Sequence, residues 1–179
     1  MRKRSFPVPV AIITVFLAVA CPFFRAAAAH GAERLDPAVR FDKLVVEKKA
    51  RRLTALSDGR VLREYRVALG PNADGPKRLQ GDQKTPEGLY RVDGKNPNSR
   101  YHKNLGVSYP NERDRETASA LGGNPGGDIK IHGLGPKFRH LGKDHWRYDW
   151  TLGCIAVTDE EMDELYFHTD VGAAIEILP

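Results

Sequence analysis

From Lys43 to the C-terminus this chain is cut by turn-forming residues so often that its apolar runs stay short. Sixteen of the seventeen glycines and eight of the twelve prolines lie there and supply most of the breaks. Runs of that length suit strands better than helices, and their alternation supports the choice. Lys43-Leu44-Val45-Val46-Glu47-Lys48 reads as a first strand. Arg51 to Leu56 and Val61 to Leu69 flank Asp58-Gly59 and read as a hairpin, its loop slightly longer than two residues. Val61, Tyr65, Val67 and Leu69 share one parity, interrupted by Arg63, so one face of that strand is expected to be buried. Gly70 to Lys84 reads as a loop. Leu89 to Val92, Leu105 to Tyr109, Asp128 to His132 and Ala173 to Leu178 read as further strands, with Asp93 to Arg100 as a turn region. Only two segments look helical. Asp114 to Leu121 ends at Gly122-Gly123, and Thr158-Asp159-Glu160-Glu161 is a capping box followed by an apolar stripe at Met162, Leu165 and Tyr166. There are no internal repeats and no strand-helix-strand rhythm. The expected fold is mainly β, closed or sandwiched so that few sheet edges face water.

The N-terminus is of a different kind. Met1-Arg2-Lys3-Arg4 is a basic start, Val8 to Ala20 is almost wholly apolar, and Ala26 to Ala29 offers small residues for cleavage. This is the pattern of a secretory signal over residues 1–29, with residues 30–41 as a polar linker and residues 42–179 as one domain. The apolar stretch falls short of the roughly 20 residues of a membrane span, and Arg25 blocks its extension, so no integral span is expected after cleavage. Leu17-Ala18-Val19-Ala20-Cys21 forms a degenerate lipobox, which makes lipid anchoring the alternative to plain export. The signal also accounts for the basic balance. Residues 1–29 hold four of the 28 Lys and Arg and none of the 23 Asp and Glu, leaving the rest of the chain near neutral. A nucleic-acid partner is therefore not expected.

With the signal removed, Cys154 is the sole remaining cysteine. An unpaired thiol outside the reducing cytoplasm suggests chemistry, against the competing reading of a small buried apolar side chain. Gly153 before it permits a tight turn that brings N–H groups close to a reacting carbonyl. His132-Gly133 lies 22 residues upstream, at the end of an alternating strand and on its polar face. A carbonyl at Gly133 could bond one ring nitrogen of His132 and present the other to the thiol. Histidines 30, 102, 140, 145 and 168 compete for that role. A metal site is not expected, because no histidine stands at short ligand spacing from Cys154.

Ile131-His132-Gly133, followed by Trp150-Thr151-Leu152-Gly153-Cys154-Ile155-Ala156-Val157, resembles the L,D-transpeptidase catalytic domain of the YkuD type. The resemblance extends to Gly81 through Tyr90, to Pro125-Gly126-Gly127-Asp128 and to Asp159 through Tyr166, covering about residues 42–179. It implies a β-sandwich or partly open barrel with a few short helices. It further implies Cys154 as nucleophile, His132 as proton donor and acceptor, and the Gly133 carbonyl as the group orienting His132. Backbone N–H groups of Gly153, Cys154 and Leu152 would form the oxyanion hole. The substrates implied are peptidoglycan stem peptides, with an amine or a wall-attached protein as acyl acceptor, no cofactor, and a location in the periplasm or cell envelope.

Two positions depart from the family pattern. Many members carry histidine where this chain has Leu152 and arginine where it has Ala156, which bears on substrate selection and on the acceptor. A hydrolase on the same scaffold and a non-catalytic wall-binding module are the rival readings. Between the two motifs, Leu134 to Trp150 holds Lys137, Arg139, Lys143 and Arg147 among Phe138, Trp146, Tyr148 and Trp150. These could grip an acidic peptide, or the rings could cluster while the cations face water. Tyr101, His102, Ser108 and Tyr109 are further candidates for a cleft.

Overall fold

The hairpin around Asp58-Gly59 shows how local chemistry starts this fold. In the computed structural model, which describes residues 34–179, Asp58 and Gly59 have φ of 49° and 73°. Ser57 pairs directly with Arg60, so the loop is two residues long and tighter than the sequence suggests. Two successive positive φ values match the twist of the flanking strands. The strands joined are β2 (Arg52–Ser57) and β3 (Arg60–Arg66). A bulge then corrects the expected parity: Ala55 pairs with Arg63 but Leu56 pairs with Val61, leaving Leu62 as an extra residue. Tyr65 is buried as expected, whereas Val61 is turned outward and is 51% exposed.

Around this hairpin stand β1 (Phe41–Glu47), β4 (Gly88–Ser99), β5 (His102–Val107), β6 (Lys130–His132), β7 (Ile155–Ala156) and β8 (Thr169–Leu178). They form one eight-stranded sheet in the order β3-β2-β1-β8-β4-β5-β6-β7. Only β1/β8 and β6/β7 are parallel. The sheet curls until its ends meet: beyond β3, Ala68 and Ala156 exchange both backbone hydrogen bonds, at 3.0 and 2.9 Å. The fold is thus mainly β and nearly closed, which hides the edges that short strands would otherwise expose. Leu44, Val46, Leu53, Tyr90, Leu105, Ile131, Ile155, Ile175 and Ile177 fill its interior.

Among the described residues, three α-helices cover the remainder. α1 (Glu112–Ala120) begins two residues earlier than expected because Asn111 and Asp114 form a reciprocal capping box. α2 (Gly135–Phe138) is a single turn, followed by a 3-10 segment over Arg139–Arg147 that kinks at Gly142. α3 (Asp159–His168) starts at the capping box read from Thr158 and Glu161, with both bonds present, and buries Met162 and Leu165.

Two expectations are corrected. Asp93 to Ser99 is not a turn: β4, twelve residues in all, runs through it with register shifts around Gly94 and Pro97, and only Arg100 of the expected turn region lies in a turn. Pairing with β5 overrides the breaker residues there. A strand-helix-strand crossover also exists, since α2 and the 3-10 segment connect parallel β6 and β7. β6 is expected as a strand, but β7, at two residues, carries too little periodicity to announce the crossover. The export signal, the lipobox at Cys21 and residues 30–33 of the linker lie outside the described residues. Among those described, no helix is long and apolar enough to cross a membrane.

Candidate active site

The parallel register of β6 and β7 brings the two motifs together. Ile131 pairs with Ile155 and His132 with Ala156, so Cys154 stands one residue before β7, level with Lys130. Alternation along each strand then puts the side chains of His132 and Cys154 on the same face, on adjacent strands. The Cys154 Sγ lies 3.7 Å from the carbonyl oxygen of Asp128.

His132 is held on several sides. Its Nδ1 donates to its neighbour's carbonyl, Gly133 O, at 2.7 Å, which leaves Nε2 as the basic nitrogen. Tyr101 stacks on the imidazole at 4.6 Å between centroids, and Trp150 meets it edge-on at 5.7 Å. These rings cover the polar face of β6, so His132 is only 3% exposed although it sits on that face. Glycine is required after it. A Cβ on Gly133 would fall 2.6 Å from Asp159 Oδ1 and 3.0 Å from the Tyr101 carbonyl oxygen. The same Asp159 carboxylate accepts from the backbone N–H groups of Leu134 and Gly135 at 2.8 and 3.0 Å, and from Arg139 Nε at 2.8 Å. Asp159 therefore ties the start of α3 to the segment leaving His132.

The turn before Cys154 is equally constrained. Gly153 has φ of 123°, and a Cβ there would lie 2.5 Å from the Lys84 carbonyl oxygen. Thr151 Oγ1 donates to Cys154 O at 2.8 Å and accepts from Gly153 N at 3.2 Å. The Gly153 N–H, one of the donors named for an oxyanion hole, is thus directed at a side chain in this state. Thr85 Oγ1 donates to Gly153 O at 2.9 Å from across the wall.

Burial sets the protonation of the pair. It pushes the Cys154 thiol above its ordinary range, with a backbone hydrogen bond at Lys130 opposing. It holds His132 below the ordinary histidine range, against the bond to Gly133. Both shifts favour neutral forms. The resting arrangement is a thiol beside a neutral imidazole, one able to lose a proton and the other able to take it.

Two cavities meet here. One, of about 560 Å³, is walled by Lys95, Asn96, Arg100, Asn104 and Lys130. The other, of about 780 Å³, is walled by Lys77, Lys137, Phe138, Trp150 and Leu152. Tyr101, Asp128, His132 and Cys154 line both. The polar and aromatic walls thus open on the same sulfur and imidazole.

The structure sorts the other sequence candidates. Tyr101 belongs to the site. His102 bonds Asp163 at 2.6 Å, the Ser108 hydroxyl accepts from Arg91 N, and the Tyr109 hydroxyl donates to the Pro125 carbonyl. His140 and His145 lie in the 3-10 segment, and His168 bonds Val39 O. Leu152 projects into the aromatic cavity at 76% exposure, while Ala156 is buried in the sheet. In the crossover loop Phe138 and Trp150 stack at 3.9 Å, Arg139 is engaged by Asp159, and Arg147 by Asp144. The aromatic cluster is present, and Lys137 is the loop cation that reaches the cavity wall. Sequence reasoning missed Thr85, Asp128 and Asp159 as neighbours of the site. Thr85 lay within the Gly81–Tyr90 segment quoted for the family resemblance, and Asp159 within the capping box, where each read as local structure.

The family model for the L,D-transpeptidase catalytic domain, YkuD, matches residues 42–177. The chain belongs to this family. YafK of Escherichia coli K12, provisionally named an L,D-transpeptidase, is 31% identical over 108 residues, which are 59% of this chain and 36% of YafK. Among solved structures, the helical cell shape determining protein Pgp2 of Campylobacter jejuni superposes with a TM-score of 0.56 at 27% identity, over 75% of this chain and 46% of Pgp2. An L,D-transpeptidase of Xylanimonas cellulosilytica shares the fold at a TM-score of 0.50 and 15% identity, over 82% of this chain and 65% of its own. This chain therefore spans between about a third and a half of the length of YafK and Pgp2.

Proposed function

We propose that this protein is an exported cysteine acyltransferase acting on peptidoglycan stem peptides. The observation that carries the reading is the meeting of two cavities at a shared Cys154–His132 pair, as a reaction with a donor and an acceptor requires. The secretory signal read over residues 1–29 takes such an enzyme to the periplasm or cell envelope, either soluble or anchored at Cys21. Pgp2, a structural neighbour at 27% identity, is named a helical cell shape determining protein, which supports a reading at the level of the cell envelope. We extend a role in wall organisation to this chain.

In the proposed reaction His132 Nε2 takes the Cys154 thiol proton as Sγ attacks a stem-peptide carbonyl. The carbonyl oxygen becomes an oxyanion, stabilised by backbone N–H groups of the Leu152-Gly153-Cys154 turn. Gly153 can serve as a donor once its N–H turns from Thr151 Oγ1. Collapse breaks the C–N bond, and the imidazolium returns the proton to the departing amine of the terminal D-amino acid. A thioester remains. An incoming amine then loses a proton to His132 as it attacks, and the thiol reforms when the second tetrahedral species collapses. Water in place of the amine makes the same scheme a hydrolysis. The scheme calls on no metal or organic cofactor.

The test is incubation with tetrapeptide muropeptides, read by mass spectrometry, beside a carbapenem adduct assay by intact mass. Wild-type protein is expected to release the terminal residue and to gain one drug mass. Cys154→Ala is expected to do neither while keeping its thermal melt. Turnover by Cys154→Ala would overturn the nucleophile assignment. Tripeptide as the sole product would move the reading from transfer to hydrolysis.

A further inference from the structure

Thr85 is wholly buried and far from both motifs in sequence, yet its hydroxyl reaches the one carbonyl that precedes Cys154. The Gly153–Cys154 peptide is planar and trans, so its C=O and N–H point in opposite directions. A donor fixed on Gly153 O therefore also fixes the direction of the Cys154 N–H. Thr85 itself cannot drift. Its carbonyl accepts from Lys48 Nζ at 3.1 Å, and that ammonium, only 2% exposed, is also bound by Gly75 O and Glu87 Oε1, each at 2.7 Å. The Lys84 carbonyl stands against Gly153 from the same side.

We infer that Thr85, anchored by buried Lys48 and its partner Glu87, is a positioning residue that orients the Cys154 N–H to receive the oxyanion. The inference rests on the acyl-transfer reading above. Without the hydroxyl, the Gly153 carbonyl is left buried and unpaired, and its peptide is free to rotate away from the packed wall. The donor then has to be re-aimed during each reaction, which preorganisation otherwise avoids.

Two reactions of the same sulfur separate this role from simple structural support. Acylation by a carbapenem builds an oxyanion; alkylation by iodoacetamide does not. In Thr85→Val, acylation is expected to slow by about tenfold to a hundredfold, short of or near the loss seen when an oxyanion donor is removed outright. Alkylation should stay within about twofold of wild type, and Thr85→Ser should restore acylation. Should Thr85→Val not fold, Thr85→Ala against Thr85→Ser carries the same comparison on folded protein. Unchanged acylation in the variant lacking the hydroxyl, or equal slowing of both reactions, would overturn the inference. A wild-type protein that alkylates normally but never acylates would instead bring down the acyl-transfer reading on which it rests.

Discussion

The turn Thr151–Cys154 and the crossover loop Leu134–Trp150 both wall the site, but they are held by different forces. The turn is fixed by main-chain geometry: a glycine in the left-handed region pressed on the Lys84 carbonyl, two hydrogen bonds at Thr151, and a third from Thr85. The loop is held by rings and by Asp159. Phe138 lies on Trp150, the guanidinium groups of Arg66 and Arg147 lie over Trp146 at 4.8 and 5.0 Å, and Gly142 breaks its helical path. Hydrogen bonds and close backbone approaches tolerate errors of tenths of an ångström, whereas stacked side chains can slide. In the proposed reaction, the group that meets a carbonyl sits on the stiff element, and the surface that accommodates a substrate sits on the adaptable one.

Substitutions at the turn should therefore be severe and those in the loop graded. Gly153→Ala places a Cβ on the Lys84 carbonyl at an unfavourable φ, and about 2–4 kcal/mol of stability should be lost, with acylation nearly abolished. A thermal melt with an adduct assay checks it. A variant with native melting would show that the turn is less rigid than its contacts indicate.

His132→Gln comes next, with acylation slower by about a hundredfold or more. The pH dependence has a definite sign. Because burial lowers the His132 pKa, its neutral, basic form persists below the ordinary histidine range, and because burial raises the thiol, the reactant thiol persists into alkali. The acylation rate should stay flat through neutrality, with its acid limb below about 6.5. An acid limb at or above that value would break the general-base argument.

His145 probes the loop. It is buried, its Nδ1 has no hydrogen-bond partner among the described residues, and burial pushes its pKa down to about 4. Between that value and the ordinary pKa near 6.5, the unfolded chain binds a proton that the folded chain refuses, so stability falls as pH drops through this window and is intact above it. The loss should approach about 2 kcal/mol. Denaturant titrations at pH 7 and pH 4.5 should show it in wild type and show a smaller drop in His145→Leu. An unchanged drop would place the acid sensitivity elsewhere.

Arg139→Ala should do least. Its side chain is largely exposed, and Asp159 keeps its two backbone donors without it. The expected cost is below about 1 kcal/mol. A larger effect would mean that the loop depends on this ion pair more than on its rings.

Much of the framework was legible in the residues. The strand at Lys130–His132, the hairpin at Asp58-Gly59 and the capping box at Thr158 each follow from interactions within a few residues. The central pair was legible too, because unpaired Cys154 and the His132-Gly133 pair were both unusual in their settings. What misled was local punctuation. Gly94 and Pro97 signal a turn, but pairing of β4 with β5 carries an extended chain through them. A one-residue bulge at Leu62 turned Val61 outward, and no parity argument foresees an inserted residue.

The sequence by itself thus determined the kinds of element, their caps and turns, and the two residues proposed to react, because these depend on side-chain chemistry and short-range sterics. Tertiary structure decided what those elements touch. The β6/β7 register set His132 and Cys154 on the same face of adjacent strands, the Ala68–Ala156 bridge drew the sheet ends together, and Thr85 arrived at Gly153 from 68 residues away. Such contacts depend on how the whole core closes, and a window of neighbouring residues holds no record of that closure.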